Sequence, residues 1–247
     1  MLNPGKKLGM AYCVNMIEAL HLLGKYQLEL AEADRCGKLY PGPMTFLFLL
    51  ARAQIALGRL DEAEKAVQEP SGGFMSWCAQ ELRAHGHSGA SIKMAGGAYE
   101  WFRERRSKNR GAAAVCLYQA ERWEEARAIV EALANEEPDN IDFQGLLGSL
   151  SARRGDRTEA MRISEQLRRM DRPYLFGENT YARACISAQL GQKEQAVDLL
   201  KEAISQGFYD VVPGLVQQCW TMAFHTDMDL EPLHGYPPYE ELIKPKD

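Results

Sequence analysis

His85-x-His87, with Cys78 seven residues before His85, comes nearest in this chain to a metal-ligand pattern. The two histidines flank Gly86, where a turn is expected, and no fourth ligand stands at a suitable spacing, so no metal site is expected. His225-x-Asp227 has the form of a general base oriented by a carboxylate. No nucleophile or glycine-rich oxyanion loop lies near it in sequence, and a helix-capping Asp227 accounts for it. The fragments SGGF, HSGAS and AGGAY follow no strand and fit no phosphate-cradling pattern. Arg103, Arg105, Arg106, Lys108 and Arg110 follow Trp101 and Phe102 and form one basic cluster. Glu104 interrupts it, cations suit a helix C-terminus, and the net charge is −5, so nucleic-acid binding is disfavoured. No reactive constellation is left, and neither catalysis nor a cofactor is expected.

The elements that would position these side chains are helical. The 247 residues contain 30 Ala and 28 Leu against 8 Val and 9 Ile, a balance that favours helices over pleated sheets. The apolar fraction of 46% suffices for a sizeable core, and the mean hydropathy of −0.36 is that of a soluble chain. The longest apolar run, Phe46 to Ala51, stops at Arg52, far short of a membrane span. Lys6 and Lys7 ahead of Leu8 to Val14 imitate a signal peptide, but Asn15, Glu18 and the lack of a small-x-small cleavage pattern argue against one. Six cysteines (Cys13, Cys36, Cys78, Cys116, Cys185, Cys219) are spread singly, which reads as small core residues of a reducing cytosol. A cytoplasmic location is expected.

One signal recurs six times: an apolar stripe of helical period ends in Gly, or a substitute, and a second stripe begins within two or three residues. The anchors are Gly24, Gly58, Gly86, Glu121, Gly155 and Gly191, separated by 34, 28, 35, 34 and 36 residues. A helical hairpin accounts for such a period, because two helices of three to four turns cannot bury their stripes alone and must stack on neighbours. Glycine at the anchor takes the left-handed conformation that ends the first helix, and Asp61-Glu62, Glu124-Glu125 and Glu194 place negative charge in the first turn of the next. Ala63, Ala126, Ala160 and Ala196 fall five residues after their anchors and allow close helix approach. Helices are predicted over 8–22, 25–38, 43–56, 60–69, 74–85, 89–106, 111–120, 123–136, 140–153, 157–170, 177–189 and 193–206. Glu69-Pro70-Ser71-Gly72-Gly73 shortens one repeat and could bend the stack there.

These segments resemble tetratricopeptide repeats, whose unit has 34 residues, small residues at fixed points and Pro near its end. Pro41 and Pro138 stand 17 residues after Gly24 and Glu121, in the family's position. The resemblance covers roughly residues 8 to 207 and departs from the pattern at Glu29 and Ser91, which replace the small Ala, and at Glu121, which replaces Gly. It implies an all-α, right-handed α-solenoid of about six antiparallel helix pairs, with repeats over 1–207. It further implies a concave face lined by the first helix of each pair. Register then nominates Glu18, His21, Phe48, Arg52, Gln80, Arg83, Tyr118, Gln119, Ser149, Arg153, Tyr181 and Gln189 as partner-binding residues. Arg52, Arg83 and Arg153 interleaved with Phe48, Tyr118 and Tyr181 would suit an extended or helical peptide carrying acidic groups. The Lys and Asn pattern of chaperone-binding members is absent, since Val14 and Glu18 occupy its first two places.

Residues 208–247 do not repeat and are expected to cap the stack. Asp227 and Asp229 are placed to cap a short helix containing Leu230 and Leu233, and Pro237-Pro238 can open another at Tyr239-Glu240-Glu241-Leu242. Trp220, Leu230, Leu233, Tyr239 and Leu242 would cover the open end. This string resembles the ends of bacterial multidomain signalling proteins in which a kinase, cyclase or winged-helix domain precedes the repeats. That likeness implies that 1–247 is the C-terminal portion of a longer polypeptide. The expected function is a non-catalytic scaffold binding a protein, a peptide or an upstream domain of its own chain on the concave face. The alternative is an enzyme or small-molecule sensor using the groove as a pocket. Leu8, Tyr12, Leu23 and Leu30 leave an apolar flank on the uncapped first hairpin that could make a homodimer.

Overall fold

The structure, a computed structural model, describes residues 4–66, 71–105, 108–170, 173–208 and 220–244. Six helix pairs follow one another along the chain: α1 (Pro4–Leu22) and α2 (Tyr26–Leu39), α3 (Met44–Ala56) and α4 (Leu60–Ala66), α5 (Gly72–Ala84) and α6 (Ser88–Glu104). They continue with α7 (Arg110–Gln119) and α8 (Trp123–Glu136), α9 (Ile141–Arg153) and α10 (Arg157–Arg168), α11 (Glu178–Gln189) and α12 (Lys193–Ser205). After these come α13 (Trp220–Thr226), a 3₁₀ turn (Glu231–Leu233) and α14 (Pro237–Ile243). No strand occurs among the described residues. Consecutive helices pack on one another from α1 to α4, from α5 to α12 and from α13 to α14, and the first helices of successive pairs touch from α3 to α5, α5 to α7 and α9 to α11. This is the expected all-α solenoid of antiparallel hairpins.

The anchors do what their spacing demands. Gly24, Gly58, Gly86, Gly155 and Gly191 have φ between 66° and 81°, and Glu121 takes the same left-handed conformation at φ 59°. The reversal satisfies carbonyls at the helix end: the Lys25 N–H donates to the Leu20 carbonyl and the Arg122 N–H to the Leu117 carbonyl, both at 2.9 Å. Asn109, Asn140 and Asp156 cap the starts of α7, α9 and α10 through their side chains. The small residue five places on lies fully inside at Ala126, Ala160 and Ala196. Where the pattern departs, the substitutes are buried too: the Ser91 hydroxyl donates to the Ala79 carbonyl at 2.7 Å, and Glu29 is drawn into a charged cluster.

One apolar seam runs through the stack. Val14, Ile17, Phe46, Leu49 and Ile55 fill it at the N-terminal end, and Leu117, Val130, Leu150, Ile163 and Ile186 fill its middle. Leu200, Phe224, Leu230, Leu233 and Tyr239 are buried together at the far end, with Leu242 half-buried beside them. The side chain of Trp220, residues 209–219, and Glu69 and Pro70 of the expected joint lie outside the described residues.

The cysteines correct the sequence reading. Cys13 on α1 and Cys36 on α2 are bonded to each other across the first hairpin, with Cα atoms 6.2 Å apart. Cys78, Cys116 and Cys185 are free and buried. A pair on facing helices has no local spacing signature, and the bond removes the cysteine argument for a reducing compartment. No helix among the described residues is long and apolar enough to cross a membrane.

At the centre of the seam α9 passes α11 with no room for a side chain at Gly148: a Cβ there would lie 2.3 Å from Ile186 Cδ1 and 3.2 Å from Ile163 Cγ2. Gly148→Ala is expected to destabilise the fold by about 1–3 kcal/mol through overpacking, despite alanine's better helix propensity. Urea denaturation checks this; an unchanged or raised midpoint would refute it.

Candidate functional site

Residues 220–243 pack back against the first helices of earlier pairs, where α13 reaches α5 and the 3₁₀ turn lies on α11. The acidic stretch Asp227-Met228-Asp229-Leu230-Glu231 meets the nominated groove residues one by one. The Tyr181 hydroxyl donates to Asp227 Oδ2 at 2.6 Å. The Tyr118 hydroxyl donates to Asp229 Oδ1, and Arg153 Nη2 donates both to that oxygen and to the Met228 carbonyl at 3.0 Å. Gln189 Nε2 donates to the Asp229 carbonyl at 2.7 Å. Arg83 donates from Nη2 to Glu231 Oε2 at 3.2 Å and from Nη1 to Glu121 Oε1 at 2.8 Å. Between these polar contacts Met228 and Leu230 turn inward and are buried.

The segment can enter because its own turn is satisfied: the Asp229 N–H donates to Asp227 Oδ1 at 2.8 Å, and the Tyr239 hydroxyl holds the Phe224 carbonyl at 2.6 Å. Aromatic rings form the floor, with Tyr181 stacked 4.2 Å from Phe208 and 5.6 Å from Phe224, and the Arg153 guanidinium 4.9 Å from the Trp123 ring centroid. Burial, reinforced by the Asp229 charge, pushes the Tyr118 phenol far up, so it remains a donor. Burial works against the charge on Arg153, but Tyr118 and Asp229 more than offset it and hold the guanidinium above its usual range. The arrangement recognises a carboxylate by a cation and a phenol together, a charge-assisted pairing in a largely dry site.

The other nominated residues lie elsewhere. Phe48 is core, edge-on to Phe74 and Trp77. Gln119 is buried and accepts from the Ser76 hydroxyl at 2.8 Å. Ser149 is buried, and Gln80 and Glu18 are half-buried. His21 and Arg52 join a second polar cluster in the N-terminal half of the stack. Glu29, 0% exposed, accepts from Arg52 Nε at 2.8 Å through Oε1 and pairs with His21 Nδ1 at 2.8 Å through Oε2. His21 Nε2 stands 3.8 Å and His85 Nε2 3.9 Å from Glu81 Oε2. Burial pushes the Glu81 carboxyl up and holds His85 down to about 4, His21 adding to the latter, so His85 is neutral at pH 7.

Of the residues nominated from register, Arg83, Tyr118, Arg153, Tyr181 and Gln189 touch residues 227–231, a stretch in which the sequence marks Asp227 and Asp229 as helix caps and does not single out Glu231. The alternation of acidic and apolar residues in DMDLE was the available signal. The sequence does not mark Glu81 either, and Glu29 stands out in it only as a departure from the repeat pattern.

Residues 83–150 match the family model described as tetratricopeptide repeat. Among solved structures the chain is similar to a tetratricopeptide repeat protein from Parabacteroides merdae, with a TM-score of 0.51 and 19% identity over 83% of this chain and 80% of that one. No curated protein matches the chain.

Removing the Asp229 carboxylate leaves the buried Tyr118 hydroxyl without its acceptor and takes one of two acceptors from Arg153 Nη2. Asp229→Ala is therefore expected to cost about 1–3 kcal/mol and to speed amide exchange across 220–243. Glu231→Ala, whose side chain is 36% exposed, is expected to cost under about 1 kcal/mol. Equal effects of the two substitutions in denaturation and exchange experiments would contradict the contact hierarchy.

Proposed function

We propose that this chain is a non-catalytic protein-interaction scaffold whose concave face, within 1–207, receives an acidic peptide-like segment. In this reading residues 208–247 supply the resident occupant. The observation that carries the reading is the convergence of Arg83, Tyr118, Arg153, Tyr181 and Gln189 on a single stretch, 227–231. A groove that offers cations, phenols and an amide to alternating carboxylates and apolar side chains is a receptor for any segment of that chemistry. The partner would be an acidic protein segment, supplied by another polypeptide or by a domain upstream in a longer bacterial signalling or regulatory chain. An open concavity of about 570 Å³ lined by Trp123, Arg153, Arg154 and Gln189 adjoins the contact and offers such a partner a first foothold.

The resident segment competes at the effective concentration set by its tether, so an external peptide must outbid an intramolecular one. We also place a second copy of the chain against the first hairpin, where Tyr12, Leu23 and Leu28 are more than half exposed and Met16 is 39% exposed; Leu30 is half-buried, and the side chain of Leu8 lies outside the described residues. Light scattering at several concentrations tests this, and a strict monomer would refute it.

The groove reading is tested with a fluorescent peptide of the sequence FHTDMDLEPLH, corresponding to residues 224–234. The full chain carrying Asp227→Ala, Asp229→Ala and Glu231→Ala is expected to bind it saturably, and wild type much more weakly. Adding Arg153→Ala to the triple variant is expected to abolish the gain. Equal binding by wild type and triple variant, or binding indifferent to Arg153, would overturn the proposal.

A further inference from the structure

We propose that His21 Nε2, Glu81 Oε2 and His85 Nε2 form a binding site for a divalent transition-metal ion, zinc being the probe of choice. The three side chains come from α1, α5 and the turn after α5, and one ligand atom of each lies within 4.8 Å of the others. The cluster is enclosed: His21 is 7% and Glu81 2% exposed, and His85 is half-buried. It lies outside the contacts of residues 227–231, so it does not depend on the peptide-receptor reading.

The orientation of His21 is the first argument. Its Nδ1 faces Glu29 Oε2 at 2.8 Å, a separation at which the ring N–H donates to the carboxylate. That bond places the lone pair on Nε2, which faces Glu81. A carboxylate behind the distal nitrogen of a histidine is the arrangement that fixes tautomer and ring direction in metal sites. Glu29 is itself held from behind by Arg52 Nε.

The second argument is the lack of partners. Glu81 Oε2 and His85 Nε2 are buried and have no hydrogen-bond partner among the described residues. Both histidine Nε2 atoms stand within 3.9 Å of Glu81 Oε2, too far for a hydrogen bond, a costly arrangement for buried polar atoms unless a cation is shared. Two imidazoles and one carboxylate suit zinc with an open fourth position, at ligand distances of about 2.0–2.2 Å reached by a contraction of the present separations. The aromatic neighbours limit the motion: the His21, His85 and Tyr26 rings pack with centroids 5.3 Å apart.

His87, which the sequence offers beside His85, is not in this set. The set takes one histidine from 64 residues upstream, a ligand that only the stacked hairpins supply.

The test is metal titration of the intact chain after chelator treatment. The expected result is one zinc per chain, and for cobalt a visible absorption band together with X-ray absorption showing nitrogen and oxygen ligands without sulfur. Glu81→Gln and His85→Gln are each expected to weaken binding at least about tenfold, and Glu29→Gln about 10- to 100-fold by releasing the His21 ring. Circular dichroism of the metal-free variants checks that they are folded. The proposal is overturned if wild type takes up no stoichiometric zinc, if His85→Gln and Glu81→Gln bind as wild type does, or if sulfur ligands appear. The X-ray absorption arm uses wild type alone and decides the matter even where a variant does not fold.

Discussion

Every feature of this chain depends on neighbouring hairpins sharing one apolar seam. A single pair such as α7 and α8 buries one face of its stripe and leaves the other for the next pair. The geometry tolerates little error where helices touch backbone to side chain. Gly148 meets Ile186 directly, and a Cβ at Gly145 would stand 2.9 Å from that of Ala182. The turns set the direction of each reversal, and Glu121 shows that the reversal itself matters more than the glycine. That residue accepts the left-handed conformation at a cost on the order of 1 kcal/mol and offers its carboxylate to Arg83.

Stacking solves the apolar problem and creates a polar one. The first helices of the pairs line the groove with Arg83, Tyr118, Arg153 and Tyr181, groups whose donors are too enclosed to be left to bulk water. The C-terminal segment resolves this by bringing Asp227, Asp229 and Glu231 to them while Leu230, Leu233 and Tyr239 seal the last hairpin. One short stretch therefore caps the stack and satisfies the groove, and the alternation of acidic and apolar residues in it is the pattern that serves both.

Much of the scaffold was legible because it is local. The anchors and the helices on either side of them are set by residues within a few positions of one another. The pairing of Arg83 with Glu231 joins residues 148 apart, and that of Tyr118 with Asp229 joins residues 111 apart. No periodicity encodes such distances, and nothing in the local sequence around Arg83, Tyr118 or Arg153 points to residues 227–231. The bond between Cys13 and Cys36 escaped for the same reason, since only the crossing of α1 and α2 brings the two together.

The departures from the repeat pattern carry the most information about chemistry. A small residue five places after the anchor serves packing alone, so a larger polar residue there must find partners inside the stack. Ser91 needs only the Ala79 carbonyl. Glu29 needs far more: a buried carboxylate demands a cation, Arg52 supplies it, and the second oxygen then orients His21 toward Glu81. One substitution in the first hairpin thus draws four ionisable groups from α1, α2, α3 and α5 into a place where apolar side chains would have packed at lower cost. The groove's C-terminal half is balanced by the returning segment, whereas this half retains Glu81 and His85 atoms without hydrogen-bond partners among the described residues, which is why its chemistry points to a cation rather than to a peptide.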